Sequence, residues 1–274
     1  MYGMRAIFDA ALSIIIPKIP PELRNSLPDN HVHGLIPQFI EAIKTRIKDG
    51  DPYDTFYVTS FAQGRNEHEE DNGILTLWRA YTQTAGYCLQ YNRNAIESLL
   101  HTEQLIYSYG ILQLADVVYG IDQDDAEFKY LAQQYATILL IELAKATGDS
   151  RFMDGMPMPH PQGQVVARLL LFCGKHKHPS FIDEREVRIF AFPLNKVIPQ
   201  FFRPTLSKPV HTNPDTGHKY LNIGENRSPA LRPERVIIGP NADLEESAVK
   251  ALFPESLREI TPKILKSDIP IRPE

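Results

Sequence analysis

The run "FIDEREVRIF", Phe181 to Phe190, places five charged side chains within ten residues, ahead of an apolar tail. Side chains alternate faces along a strand, so a strand here puts Glu184, Glu186 and Arg188 on one side and Arg185, Val187 and Ile189 on the other. Two carboxylates two residues apart on one face can serve as an acid/base or cation-stabilising pair. A Glu–Arg pair beside Phe190 and Phe192 can equally be an ion pair that only holds the fold, and the two readings weigh about evenly. A lone carboxylate at such a boundary is costly to desolvate, so Arg188, Arg79 or Lys177 is expected beside Glu186. Pairing would keep Glu186 ionised, which suits stabilising a cation better than donating a proton.

Other residues add to this candidate site. In "YVTSFAQ", Tyr57, Thr59 and Phe61 share one strand face and Val58 and Ser60 the other. Trp78 and Tyr81 are three apart in "LTLWRAY" and share a helix face, with Arg79 alongside. Most such aromatic pairs are core. With Arg79 they could also frame a planar anionic ligand such as a nucleotide.

Other constellations carry less. His31 and His33 could supply two metal ligands, but no third of suitable spacing follows. "EHEED" (Glu67 to Asp71) reads as a solvated loop without the spaced oxygens of a calcium loop. "KHKH" (Lys175 to His178) reads as the basic end of a helix, with a phosphate contact as its second reading. In "GPNADLEES", Asp243 and Glu246 are at capping-box spacing, which disfavours an anion site at that helix start. Cys88 and Cys173 both lie in apolar runs, far apart in sequence. They read as buried small hydrophobes, which fits a reducing cytosol.

The chain of 274 residues is 43% hydrophobic, enough to bury a core. Its net charge of −5 gives no global attraction for nucleic acid or anionic membrane. No secretory signal is visible, and "YATILLIELAKA" is too short to span a bilayer. A cytoplasmic protein is expected.

Helical spacing over 4–16, with Met4, Ile7, Phe8, Ala11, Leu12 and Ile15 apolar, predicts an opening helix. Further helices are predicted over 35–48, at "ILTLWRAY", from Asn94 with Glu97 as a capping box, over 124–147, at "QVVARLLLFCGKHKH" and near 244–252. Strands are predicted at "DTFYVTSFAQ", "AGYCLQY", "EQLIYSYG", "LADVVYG", "REVRIFAF", "HKYLNIG", "ERVIIG" and "KILKSDIP". Without regular alternation, this order predicts an α+β fold: one domain over 1–274, with a helical insertion around 121–162. A twisted, mainly antiparallel sheet should unite residues near 55–61, 86–91, 184–192 and 234–238.

These residues resemble a bacterial family, the proteins of domain of unknown function 2971. The resemblance rests on Ser60-Phe61, Trp78-Arg79-Tyr81, Gly86-Tyr87, Lys177-His178-Phe181, Glu184-Glu186-Arg188, Ile238-Gly239-Pro240 and Ser267-Ile269-Pro270-Arg272, in order along the chain. Members of that family usually open with a short aromatic strand before the first helix, and "MYGMRAIFDAAL" resembles that first helix without the strand. Some members occur near phage-defence genes. The layout also resembles that of ADP-ribosyltransferases. That likeness implies NAD as a cofactor, with Thr59 and Ser60 beside the nicotinamide ribose. Trp78, Arg79, Tyr81 and Arg188 would complete the nucleotide site, and Glu186 or Glu184 would stabilise the ribosyl cation. The alternative is a non-catalytic sensing or protein-interaction module whose charged cluster is structural.

Overall fold

The structure is a computed structural model that describes residues 2–19, 56–81, 86–148, 162–194, 206–225, 231–243, 245–251 and 262–269. The predicted helix at 35–48 and the histidines at 31 and 33 lie outside the described residues. The helices are α1 (Tyr2–Ile15), α2 (Glu67–Asn72), α3 (Leu75–Tyr81), α4 (Arg93–Gln104), α5 (Ala126–Thr147), α6 (Gln162–Lys175) and α7 (Glu246–Ala251). The longer strands are β1 (Tyr57–Ala62), β2 (Tyr87–Gln90), β3 (Tyr107–Asp116), β6 (Glu186–Pro193), β10 (Arg235–Ile238) and β11 (Lys263–Lys266). Two-residue strands are β4 (Val118–Tyr119), β5 (His176–Lys177), β7 (Leu206–Ser207), β8 (His211–Thr212) and β9 (Lys219–Tyr220). The fold is α+β with mainly antiparallel pairing among its longer strands.

The strands expected in one sheet divide between two. One sheet runs β1-β6-β3-β7 and the other β11-β10-β2. Residues 57–62 and 186–193 therefore lie in the first, and residues 87–90 and 235–238 in the second. Part of the reason is Trp78. Its indole packs with Ile237 and Ile269 against Leu75 and Cys88, at the root of the second sheet. Its Nε1–H donates to the Asn72 carbonyl at 2.8 Å. The α2–α3 unit thus stands between β1 and β2 in the chain and is anchored on the second sheet.

The four-stranded sheet has two covered faces. On one, Ile189, Ala191 and Leu112 pack with Ile96 and Leu100 of α4. On the other, Phe190 is fully buried, and a Cβ added at Gly174 of α6 would sit 2.6 Å from its ring. Glycine at 174 is what lets α6 approach the sheet so closely. Beyond α6, helices α1, α5 and α6 share a core of Ile7, Phe8, Leu131, Tyr135, Leu140 and Leu169. Every apolar position predicted for α1 is buried there.

Three local expectations are corrected. Residues 179–184 form a 3₁₀ turn, and the strand starts only at Glu186. Pro179 suits a helical first turn, and Arg185, at φ 45°, turns the chain through the left-handed region before the strand begins. Asn92, not Asn94, caps α4; its side chain accepts from the Asn94 and Ala95 amides. The two short strands expected at 103–110 and 114–120 are largely one ten-residue strand, β3, with a register shift between Tyr109 and Ile111. A bulge absorbs Gly110 without ending the strand.

One buried network had no counterpart in the sequence reading. Lys208 and Glu103 are 0% and 1% exposed and lie 2.6 Å apart. Lys208 also donates to the Asn222 carbonyl, and its ammonium sits over the Tyr107 ring. Glu103 accepts from the Tyr109 hydroxyl and the Gly224 amide. The pair ties α4 and β3 to the segment carrying β8 and β9.

Candidate functional site

The charged cluster forms where β6 begins. The Lys177 ammonium donates to Glu184 Oε2 at 2.5 Å and to Glu186 Oε1 at 2.9 Å. The Arg188 guanidinium takes the other oxygen of Glu186, its Nε at 2.6 Å, and reaches the Gly174 carbonyl at 2.5 Å. Both carboxylate oxygens of Glu186 are thus occupied by cations. The Glu186 side chain is only 12% exposed. Burial alone would raise its pKa, but the hydrogen bonds from Lys177 and Arg188 outweigh that and hold it below the usual carboxylate value. The backbone is fixed as well: the Glu186 amide donates to the Tyr119 hydroxyl, and its carbonyl accepts from Val117.

The turn before the strand is secured separately. Arg185 forks onto both oxygens of Glu69, at 2.6 and 2.9 Å, and the Arg65 amide donates to the same carboxylate. These bonds, the Arg185 fork foremost, hold Glu69 below the ordinary carboxylate range. "EHEED", read as a solvated loop, is helix α2, capped by Asn66.

The candidate residues therefore separate. Glu184, Glu186 and Arg188 come together as one ionic cluster, although Glu184 belongs to the 3₁₀ turn and not to the strand. Lys177 and Arg188 are the partners expected for Glu186; Arg79 is exposed on α3 and is not among them. Ser60 pairs with Arg188 across β1 and β6, and Thr59 pairs with Ile189 on the opposite face. The Thr59 and Ser60 side chains thus point to opposite sides of the sheet. Trp78 is buried, whereas Tyr81 is 74% exposed.

A cleft of about 560 Å³ lies between the two sheets. Its walls include Phe61, Ile74, Leu77, Trp78, Leu89, Ile96 and Val187, a mainly apolar lining within the size range of small-ligand sites. Ser60, Trp78 and Tyr81 of the candidate residues reach it; Glu184, Glu186, Arg188, Thr59 and Arg79 do not line it. Its polar groups include Glu69, Glu70, Arg93 and Gln90. Glu69 is spoken for by Arg185, and Arg93 is held by Asp116 at 2.8 Å. Glu70 has no ion-pair partner among the described residues. Gln90 Oε1 is buried with no hydrogen-bond partner there. No alternation in the sequence marked this site, because two sheets that meet only in space build it.

Among the described residues, no group of three or more His, Cys, Asp and Glu side chains is placed to hold a metal. No helix among them is long and apolar enough to cross a membrane. No curated protein and no solved structure matches the chain. A family match runs from Leu77 in α3 to Ile189 in β6, spanning one wall of the cleft and the ionic cluster. Over residues 77–189 the chain is similar to the family described as protein of unknown function (DUF2971).

Proposed function

We propose that the protein is a sensing or interaction module that takes its ligand in the cleft between the two sheets, and that the Glu184–Glu186–Lys177–Arg188 cluster holds the fold. One observation carries this reading: both oxygens of Glu186 are neutralised by Lys177 and Arg188, away from the cleft lining. A catalytic carboxylate must keep an oxygen for the reacting centre. Here that oxygen would have to be taken from a partly buried cation, at an energetic cost. The cleft offers what a binding site needs instead: apolar walls, with an acceptor and an acid that no described residue pairs.

Trp78 is the only tryptophan and lines the cleft, so its fluorescence reports occupancy directly. Titration with a panel of nucleotides, nicotinamide dinucleotides and short peptides should give a saturable change with one class. Leu77→Arg, which fills the cleft, should abolish that change with little effect on melting. A saturable change that survives Leu77→Arg would place binding elsewhere and end this reading.

A second reading is an NAD-dependent, ADP-ribosyltransferase-like enzyme acting in phage defence. It is supported by Glu186 remaining ionised on the same sheet face as Ser60. Labelled dinucleotide incubated with the protein and cell extract tests it. Transfer that is lost in Glu186→Gln, with the fold intact, would establish it.

A further inference from the structure

Two strand edges bound the cleft, together with inner-strand side chains such as Val187, Leu114 and Ile237. Its lining includes the consecutive residues 60–64 and 87–91, drawn from both faces of their strands. Only a strand's edge presents neighbouring residues of both faces to one space. β1 and β2 are each the outermost strand of their sheet on that side, and they do not pair with each other.

The pairing fixes which backbone groups look outward. Gly239 donates to the Gly86 carbonyl, which sets the alternation along β2 and β10. With Tyr87 opposite Ile238 and Leu89 opposite Val236, these two residues sit at the non-bonded positions of the ladder. Their N–H and C=O groups point away from β10 into the cleft. On β1, Gln63 donates to the Arg185 carbonyl, so Val58, Ser60 and Ala62 are the outward residues by the same parity. No described residue hydrogen-bonds these outward groups. Tyr87, Leu89 and Val58 are 48%, 37% and 46% exposed, large apolar side chains standing beside the open edges.

We propose that the ligand is an extended peptide that adds as a strand to the β2 edge, with β1 as the opposite bank. This rests on the reading of the cleft as a binding site and names its occupant. A row of alternating donors and acceptors that no described residue pairs is complementary to another backbone. The apolar walls favour alternate apolar side chains. Glu70, which lines the cleft without an ion-pair partner among the described residues, favours a Lys or Arg in the peptide, and Gln90 Oε1 accepts one further donor. The peptide is therefore extended, apolar at alternate positions and net basic.

Selection of linear nonamers on the full-length protein, from a displayed random library, tests the proposal. The expected winners alternate apolar residues and carry at least one Lys or Arg. The synthetic winner should lose about tenfold or more in affinity when its alternate amides are N-methylated, since main-chain hydrogen bonds give most of the affinity in this mode. Leu89→Pro removes one outward N–H and no ladder bond to β10, so it should give a similar loss with melting nearly unchanged. Glu70→Gln should weaken the basic winner less. Failure to enrich any sequence overturns the proposal, and so does a winner indifferent to N-methylation at either parity; the methylated peptide decides even if Leu89→Pro does not fold. A nucleotide that changes Trp78 fluorescence while no peptide is enriched sinks the peptide but leaves the cleft as a binding site.

Discussion

Glu186 is a carboxylate whose surroundings keep it charged and occupied. The sequence already implied half of this: spacing put Glu186 and Arg188 on one strand face, and the cost of desolvation required a basic partner. Both partners found, Lys177 and Arg188, had been named. What spacing could not show is that they use up both oxygens, because Lys177 arrives from β5, nine residues earlier, by tertiary packing. The pH dependence follows from the direction of the shift. Glu186 has its folded pKa below the ordinary 4.5, so its contribution to stability is present above that value and is lost as pH falls through the folded pKa. Lys177→Met leaves Glu184 and Glu186 facing each other without a shared cation. At pH 7 it should cost about 1–3 kcal/mol in urea unfolding, a range discounted for partial exposure. That deficit should shrink as the pH falls through the lowered folded pKa of Glu186, where its carboxylate takes up a proton. A deficit that grows on acidification would contradict this assignment.

At the scale of elements, the short unit α2–α3 decides more than its length suggests. Gly73, at φ 76°, ends α2, and a Cβ there would lie 2.6 Å from the Trp78 indole. Substitution is strained twice, by the left-handed backbone and by a rigid buried ring. Gly73→Ala should therefore cost at least about 2 kcal/mol in denaturant unfolding, and a loss below about 0.5 kcal/mol would show that the unit yields easily. Elements with strong periodicity were legible: α1, the body of α5, and the apolar half of β6 fall where their patterns put them. Residues 179–185 were not, because a 3₁₀ turn and a strand both place alternating charge against apolar residues. Only the left-handed Arg185, held by Glu69 from 116 positions away, separates the two.

For the whole molecule, α+β class was legible from element order, whereas division into two sheets was not. Strand pairing between distant segments is a property of the fold, and "YVTSFA" and "YCLQ" carry no mark saying they end up as facing edges. The buried Lys208–Glu103 pair was equally hidden, since a lysine between Ser207 and Pro209 reads as surface. Lys208→Met alone strands a buried carboxylate and should cost about 3–5 kcal/mol. Pairing it with Glu103→Leu should recover part of that loss. An additive double variant would mean that the two charges are not coupled. The central claim, that Glu186 holds the fold while function belongs to the cleft, is tested most directly by the melting temperature of Glu186→Gln at pH 7. An amide cannot serve both cations, so a fall of roughly 3–12 °C is expected, from about 1.5–3 kcal/mol at 2–4 °C per kcal/mol. A Glu186→Gln protein that melts with the wild type would contradict the account and return Glu186 to the list of catalytic candidates.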